Sequence, residues 1–359
     1  MNKVVKTIGV LSVASLMTTT AFSQITISGY GEVGFITGNA SGVRGVANSK
    51  GMGSEFLITV AGKGKMNNGW EYSVYQNFDT DEVGNGRDYA NNSPMTTRAL
   101  ELSPSKDFKL FYTFDGVYGG EIARTAVPTV TERAVDLTGN SGLSEFIDVT
   151  SGQHAIGFEA LNVGPAGRFS VAYAPNLDST VSASSDRLYG NTNFTNGTNA
   201  AAGYSLGYSV TPGPIKVAAG YTKINQNHIG TAVDPTSKTL GITYTDASFA
   251  IGAQRTKNDG IKKVNVVTLN DTVDTISASF AASKELTLGV AYSKMEREVA
   301  NTASGPDTKV VQVVAAYNLG PVVASIAYED AKDKNQASNE VSIAGLDSKL
   351  TKIKVKANF

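Results

Sequence analysis

The chain has 359 residues, enough for one large domain or two ordinary ones. A formal charge of −1 removes nucleic acid as an obvious partner, and the absence of cysteine removes disulfide scaffolds and thiolate metal sites while suiting an oxidising compartment. Charged residues make up only 18%, low for a soluble enzyme, whereas glycine (37) and tyrosine (15) are plentiful.

Residues 1–23 have the three parts of an export signal. Lys3 and Lys6 make a positive start, "IGVLSVASLM" (8–17) an apolar core, and Ala21 and Ser23 the small residues before a cut at Gln24. Removing this segment takes the formal charge from −1 to −3. No later stretch reaches the roughly 18 apolar residues of a membrane helix. The expected organisation is a signal peptide (1–23) followed by one domain (24–359).

From Gln24 onward the pattern has period two. In "GYSLGYSV" (203–210), Tyr204, Leu206, Tyr208 and Val210 alternate with Gly203, Ser205, Gly207 and Ser209. "TLGITYT" (239–245) and "ELTLGVAYS" (285–293) repeat the scheme. Strict alternation predicts strands with two unlike faces. Sixteen such segments follow in order: 25–36, 54–63, 69–78, 94–103, 107–114, 153–162, 167–175, 202–210, 214–224, 238–245, 248–256, 272–281, 285–295, 308–318, 321–330 and 349–359. Their connections alternate in length. The short ones carry turn chemistry, such as Asn67-Asn68-Gly69, Gly164-Pro165 and Pro212-Gly213. The long ones (37–53, 79–93, 115–152, 176–201, 225–237, 257–271, 296–307 and 331–348) are rich in Asn, Asp, Ser, Thr and Gly.

Sixteen amphipathic strands with no amphipathic helix leave no protein layer to cover their apolar faces. Lipid can cover them, and in lipid every backbone polar group must be paired, so the sheet has to close. The predicted fold is therefore all-β: a 16-stranded antiparallel up-and-down transmembrane β-barrel with short turns at one end and long loops at the other. An even strand count brings the last strand beside the first. Aromatics fall where two interfacial girdles need them: Trp70, Phe108, Phe169, Tyr208, Tyr244, Phe249, Phe280, Tyr317 and Phe359 near the short turns, and Phe35, Phe78, Tyr173, Tyr221, Tyr292 and Tyr328 near the long loops. In the closing "KLTKIKVKANF" (349–359), Ile353, Val355 and Phe359 would face lipid, and Lys352, Lys354 and Lys356 water inside the barrel.

With "ITISGYGEVGF" (25–35) opening the first strand, "GWEYSVYQNFD" (69–79) as the third, one oversized third loop and a terminal "KANF", the mature chain resembles the general trimeric porins of Gram-negative bacteria. That resemblance implies an outer-membrane channel for passive diffusion of small hydrophilic solutes and ions, a homotrimer in the lipid bilayer, and a third loop folded into the lumen. It also implies that Phe359 is the signal read by the barrel-assembly machinery. The stretch "SPSKDFKLFYTFDGVYGGEIAR" (103–124) departs from the pattern, because strand five fits 119–124 as well as 107–114.

The third loop (115–152) carries Glu121, Arg124, Glu132, Arg133, Asp136, Glu145 and Asp148, with acids in excess, a composition that favours cations at a constriction. Alternation gives pore-wall positions for Arg98, Lys109, Arg168, Lys216 and Lys352, and for the acids Glu32, Glu71 and Glu159. Arg98 shares the parity of Leu100 and Leu102, so facing the lumen requires a bulge in its strand. Acids facing bases across a gap would set a transverse field that orients dipolar solutes.

Catalysis finds little support. Barrel hydrolases need a histidine with a nucleophile or an acid, and the only histidines are His154, at a strand end, and His228, in a loop. "DTDEVGNGRD" (79–88) lacks the ligand spacing of a dedicated calcium loop. No cofactor and no metal is expected. Two other readings use the same barrel: a substrate-selective channel with a patterned lumen, and a structural or adhesive barrel whose loops carry the function.

Overall fold

The computed structural model describes residues 24–40, 49–82, 95–124, 127–128, 146, 149–150, 154–164, 167–177, 201–225, 234–263, 267–299, 307–332 and 347–359. Sixteen strands run through them: β1 (Gln24–Ala40), β2 (Ser49–Lys65), β3 (Glu71–Glu82), β4 (Met95–Ser105), β5 (Phe108–Phe114), β6 (His154–Val163), β7 (Gly167–Leu177), β8 (Ala201–Val210), β9 (Ile215–Asn225), β10 (Thr236–Thr245), β11 (Phe249–Lys263), β12 (Val267–Ala281), β13 (Leu286–Val299), β14 (Thr308–Asn318), β15 (Val322–Lys332) and β16 (Ser348–Asn358). Each pairs antiparallel with its neighbours in the chain, and β16 pairs with β1, so the sheet is a closed barrel. At the seam Gly29 and Phe359 exchange both backbone hydrogen bonds, each 3.0 Å long. Among the described residues no helix is long and apolar enough to cross a membrane. The expected export signal lies outside the described residues.

The two faces differ as the alternation requires. Val313 stands opposite Val290 on one side and Tyr328 on the other, and all three point outward and are exposed. Leu240 and Ile242 do the same on β10, between inward-facing Thr239, Gly241 and Thr243. Such a rim is unfavourable in water, at about 25 cal/mol for each Å² of apolar surface, and favourable in hydrocarbon. Outward-facing Tyr244, Phe249, Phe280, Tyr317 and Phe359 gather at the short-turn end, and Tyr292 and Tyr328 mark the other boundary.

All sixteen predicted segments are strands, but several reach past the predicted edges. The predicted long connection 257–271 shrinks to 264–266, because β11 and β12 continue as a ribbon beyond the hydrocarbon. Along that ribbon the sequence stops alternating in polarity while pairing goes on. A one-residue bulge between Asn258 and Ile261, with Gly260 at φ +74°, interrupts the ladder there. Strand five is Phe108–Phe114; the alternative at 119–124 is instead a 3₁₀ turn over Gly119–Ala123.

Candidate functional site

Strand β5 is only seven residues long, so the third connection leaves the wall part-way up. Asp115 makes the bend in the left-handed region, at φ 57°. The hydroxyl of Thr150, near the returning end of the loop, donates to the Gly116 carbonyl at 2.7 Å. Tyr118 then stacks on inward-facing Phe111, ring centroids 3.9 Å apart, and donates its hydroxyl to Glu101 Oε1 at 2.8 Å. Burial, reinforced by the Glu101 carboxylate, pushes the Tyr118 phenol above its ordinary range.

Beyond Tyr118 the loop main chain lies on the inner wall. The Gly119 and Gly120 N–H groups donate to Ser170 Oγ on β7 (2.7 Å) and Ser205 Oγ on β8 (2.6 Å). Gln254 on β11 donates to the carbonyls of Ala123 (3.0 Å) and Arg124 (2.9 Å), and Ser277 on β12 to that of Pro128 (2.7 Å). The wall beneath is made of small residues: Ala172, Ser205, Gly207, Ala218, Gly220 and Gly252. A β-carbon at Gly220 would come within 3.0 Å of the Gly120 carbonyl oxygen, and one at Gly252 within 2.8 Å of Pro128. The described part of the third connection is thus folded inward, as predicted, and its main chain is held by hydrogen bonds to side chains of β7, β8, β11 and β12.

A charged row underlies the point where the loop departs. Ser73 (β3) donates to Glu101 Oε2 at 2.6 Å, and Lys109 Nζ lies 2.9 Å from Glu101 Oε1 and 3.8 Å from Glu159 Oε2. Arg168 pairs with Glu159 through two nitrogens and donates to the Val117 carbonyl at 3.2 Å. The row spans β3 to β7 with charges alternating in sign, and it ties the loop to the wall.

On the side of the barrel away from the loop anchor, Lys354 Nζ lies 3.1 Å from Glu32 Oε2, and Lys356 sits over the Tyr30 ring. Tyr30 in turn donates to Glu55. Lys352 is on the same inward face, in register between Ile36 and Ala327. At the short-turn end Lys216 faces inward opposite Thr243, and exposed Glu71 shares the inward face of Ser73.

Among the predicted wall residues, Lys109, Glu159 and Arg168 come together, while Glu32, Lys352, Glu71 and Lys216 stand apart from them. Arg98 is a correction. No bulge occurs between it and Leu100, so it stays on the outward face, 4.7 Å from the Phe114 ring centroid and near His154. His154 is also outward, with its Nδ1 2.6 Å from the Tyr112 hydroxyl. In the third loop Glu121 and Arg124 pair with each other at 2.7 Å. Glu132, Arg133, Asp136, Glu145 and Asp148 lie outside the described residues, as does His228. Sequence reasoning missed Glu101 and Tyr118. Glu101 was within reach: it has the opposite parity to Arg98, so without a bulge only one of them faces inward.

Known proteins give the same picture. A model of the family described as Gram-negative porin matches residues 10–336. Comparison with curated proteins finds no match. Among solved structures, OmpT, an outer membrane protein of Vibrio cholerae in its in-vitro folded trimer form, superposes with a TM-score of 0.61 at 12% identity, over 94% of this chain and 100% of that one. An anion-selective porin from Comamonas acidovorans does so with a TM-score of 0.61 at 13% identity, over 94% and 99%. A mutant of Rh. blastica porin gives 0.59 at 12%, over 94% and 100%. At such identities the likeness is one of fold.

Proposed function

We propose, for a chain that belongs to the Gram-negative porin family and is an outer-membrane channel for passive diffusion, that its pore runs between the inward-folded third loop and the wall of β16, β1, β2 and β3. The loop main chain held on β7 to β12 carries this reading, because it leaves the lysines of β16 and the acids of β1 to β3 as the opposite bank. The channel needs no cofactor and no energy source. Lys354 pairs with Glu32 on the inner face that Lys352 and Lys356 share, so part of the wall charge is neutralised and the pore passes small hydrophilic solutes and ions with weak charge preference. Glu121 and Arg124 neutralise each other and add little to that preference.

The same reading takes the functional form to be a homotrimer, as in the trimer form of the Vibrio cholerae OmpT structure. It takes residues 1–23 as a cleaved export signal, and Phe359, exposed at the seam, as the residue that the assembly machinery recognises. Planar-bilayer recording tests the proposal. Conductance should rise linearly with salt, and the reversal potential in a salt gradient should stay small. Saturable block by one solute at low concentration would replace this reading with a substrate-selective channel, and absence of conductance with a structural barrel.

A further inference from the structure

The inner wall does not carry its charges evenly along the barrel axis. At the short-turn mouth Lys63 and Lys65 (β2) stand in register with Ser73 and Glu71 (β3) on the inward face. Lys216 (β9) and Lys356 (β16), also inward, line the same mouth. Against these four lysines the inner face there carries one acid, Glu71, among the described residues. The charged row of Glu101, Lys109, Glu159 and Arg168 beside it balances itself. The short turns add Lys106 and Lys284 against Asp107, Asp246 and Glu285.

This end therefore has a surplus of two positive side chains. Residues 24–359 carry −3 in side-chain charge, so everything beyond the short-turn end carries −5. Part of that excess lines the lumen. With the internal ion pairs of Glu32, Glu121 and Asp271 set aside, Glu55, Asp79 and Glu329 face inward against one lysine, Lys352.

An aqueous pore with an acidic half and a basic half conducts differently in its two directions. With the long-loop side positive, cations enter through the acidic half and anions through the basic half. Both accumulate where the halves meet, and conductance rises. With the polarity reversed both are drawn out of that junction, and conductance falls. The effect needs wall charge that salt leaves unscreened: the screening length is about 30 Å at 0.01 M and only about 3 Å at 1 M.

We propose that the lumen is polarised along its axis and rectifies, with Lys63, Lys65, Lys216 and Lys356 as the residues that make its short-turn mouth favour anions. More current flows with the long-loop side positive than with it negative. This rests on the channel reading above, and gives a direction to a pore whose overall charge preference is weak.

The test is planar-bilayer recording of the refolded full barrel in symmetric KCl. Orientation is read with Thr211→Cys: the chain has no cysteine and Thr211 is exposed in a short turn, so a membrane-impermeant thiol reagent reacts only from the side that the short turns face. At about 0.02 M salt and about 100 mV the wild type should pass roughly twofold more current in the favoured direction, and at 1 M the two directions should agree. Lys63→Gln with Lys65→Gln and Lys216→Gln should bring the low-salt ratio close to one, and Glu71→Gln should raise it. Both variants should conduct like wild type at 1 M, which shows their barrels intact. Equal currents for the wild type at low salt, the opposite direction, or an undiminished ratio in the triple variant would overturn the rectifier and leave the channel standing. No conductance at 1 M would overturn the channel reading, and the rectifier with it.

Discussion

Gly207 on β8 faces the Gly119 carbonyl so closely that a β-carbon at 207 would lie 2.0 Å from that oxygen. The wall can therefore carry the loop only where it has no side chain. Gly207→Val should force the 119–124 segment off the wall. Closing the gap by overpacking instead would cost about 1–3 kcal/mol. The expected result is an intact barrel by circular dichroism, with higher and noisier single-channel conductance than wild type. Unchanged conductance would mean that the loop does not limit the pore.

Tyr118 anchors the start of the same loop. Tyr118→Phe keeps the stack on Phe111 and deletes the hydroxyl's hydrogen bonds with Glu101 and Tyr75, at a cost of about 1–3 kcal/mol. A lower thermal unfolding midpoint should report it. The pH dependence has a definite sign. Folding raises the phenol's pKa, so its contribution is complete below the ordinary phenol value of about 10 and is lost as pH rises above it. The stability difference between wild type and Tyr118→Phe should thus be flat through neutral pH and shrink under alkaline conditions.

Toward the long-loop end Asp271 and Arg297 form a two-point pair, Nε to Oδ1 at 2.6 Å and a terminal nitrogen to Oδ2 at 2.5 Å, with both side chains almost fully buried. Met295, Val273, Val310 and Ala331 pack together on the same inward face. Removing one partner strands a buried charge. Asp271→Asn should destabilise by about 3–5 kcal/mol, read as a drop in unfolding temperature. Replacing both, as in Asp271→Leu with Arg297→Met, should recover most of the loss, because desolvation of the pair offsets much of its attraction.

These sites show why the barrel was legible in the sequence and the loop's seat was not. Each lipid-facing residue reports its solvent directly, so Leu240 and Ile242 against Thr239, Gly241 and Thr243 give the face, the register and finally the closure. Arg98 misled because polarity alone placed it inside. Its strand runs unbroken to Leu100, and an interfacial cation can lie outward against Phe114. The seat of the loop was written in Gly203, Ser205, Gly207 and Ser209, an inner face without charge or bulk. Smallness on a wet face reads as polarity until the packed segment is known. Lys109 meets Glu101 only because β4 and β5 adjoin, but Tyr118 reaches Glu101 from a bend at Asp115 that no periodicity announces.

The lysines of β16 permit a test of the two banks. Lys352, Lys354 and Lys356 repeat every second residue, so their charges form a ladder along the inner wall, with Glu32 bound to the middle rung. Changing all three to Gln releases Glu32 and leaves the neighbouring Glu55 and Asp79 as the main fixed charges of that wall. Negative wall charge raises the local cation concentration and lowers that of anions. The reversal potential in a salt gradient should therefore move toward cation preference, with a permeability ratio changed about two- to tenfold. Lys349→Gln, on the outward face of the same strand, should leave it where it was. A shift of equal size from Lys349→Gln would locate the selective charge outside the barrel, and no shift from the triple variant would remove β16 from the permeation path.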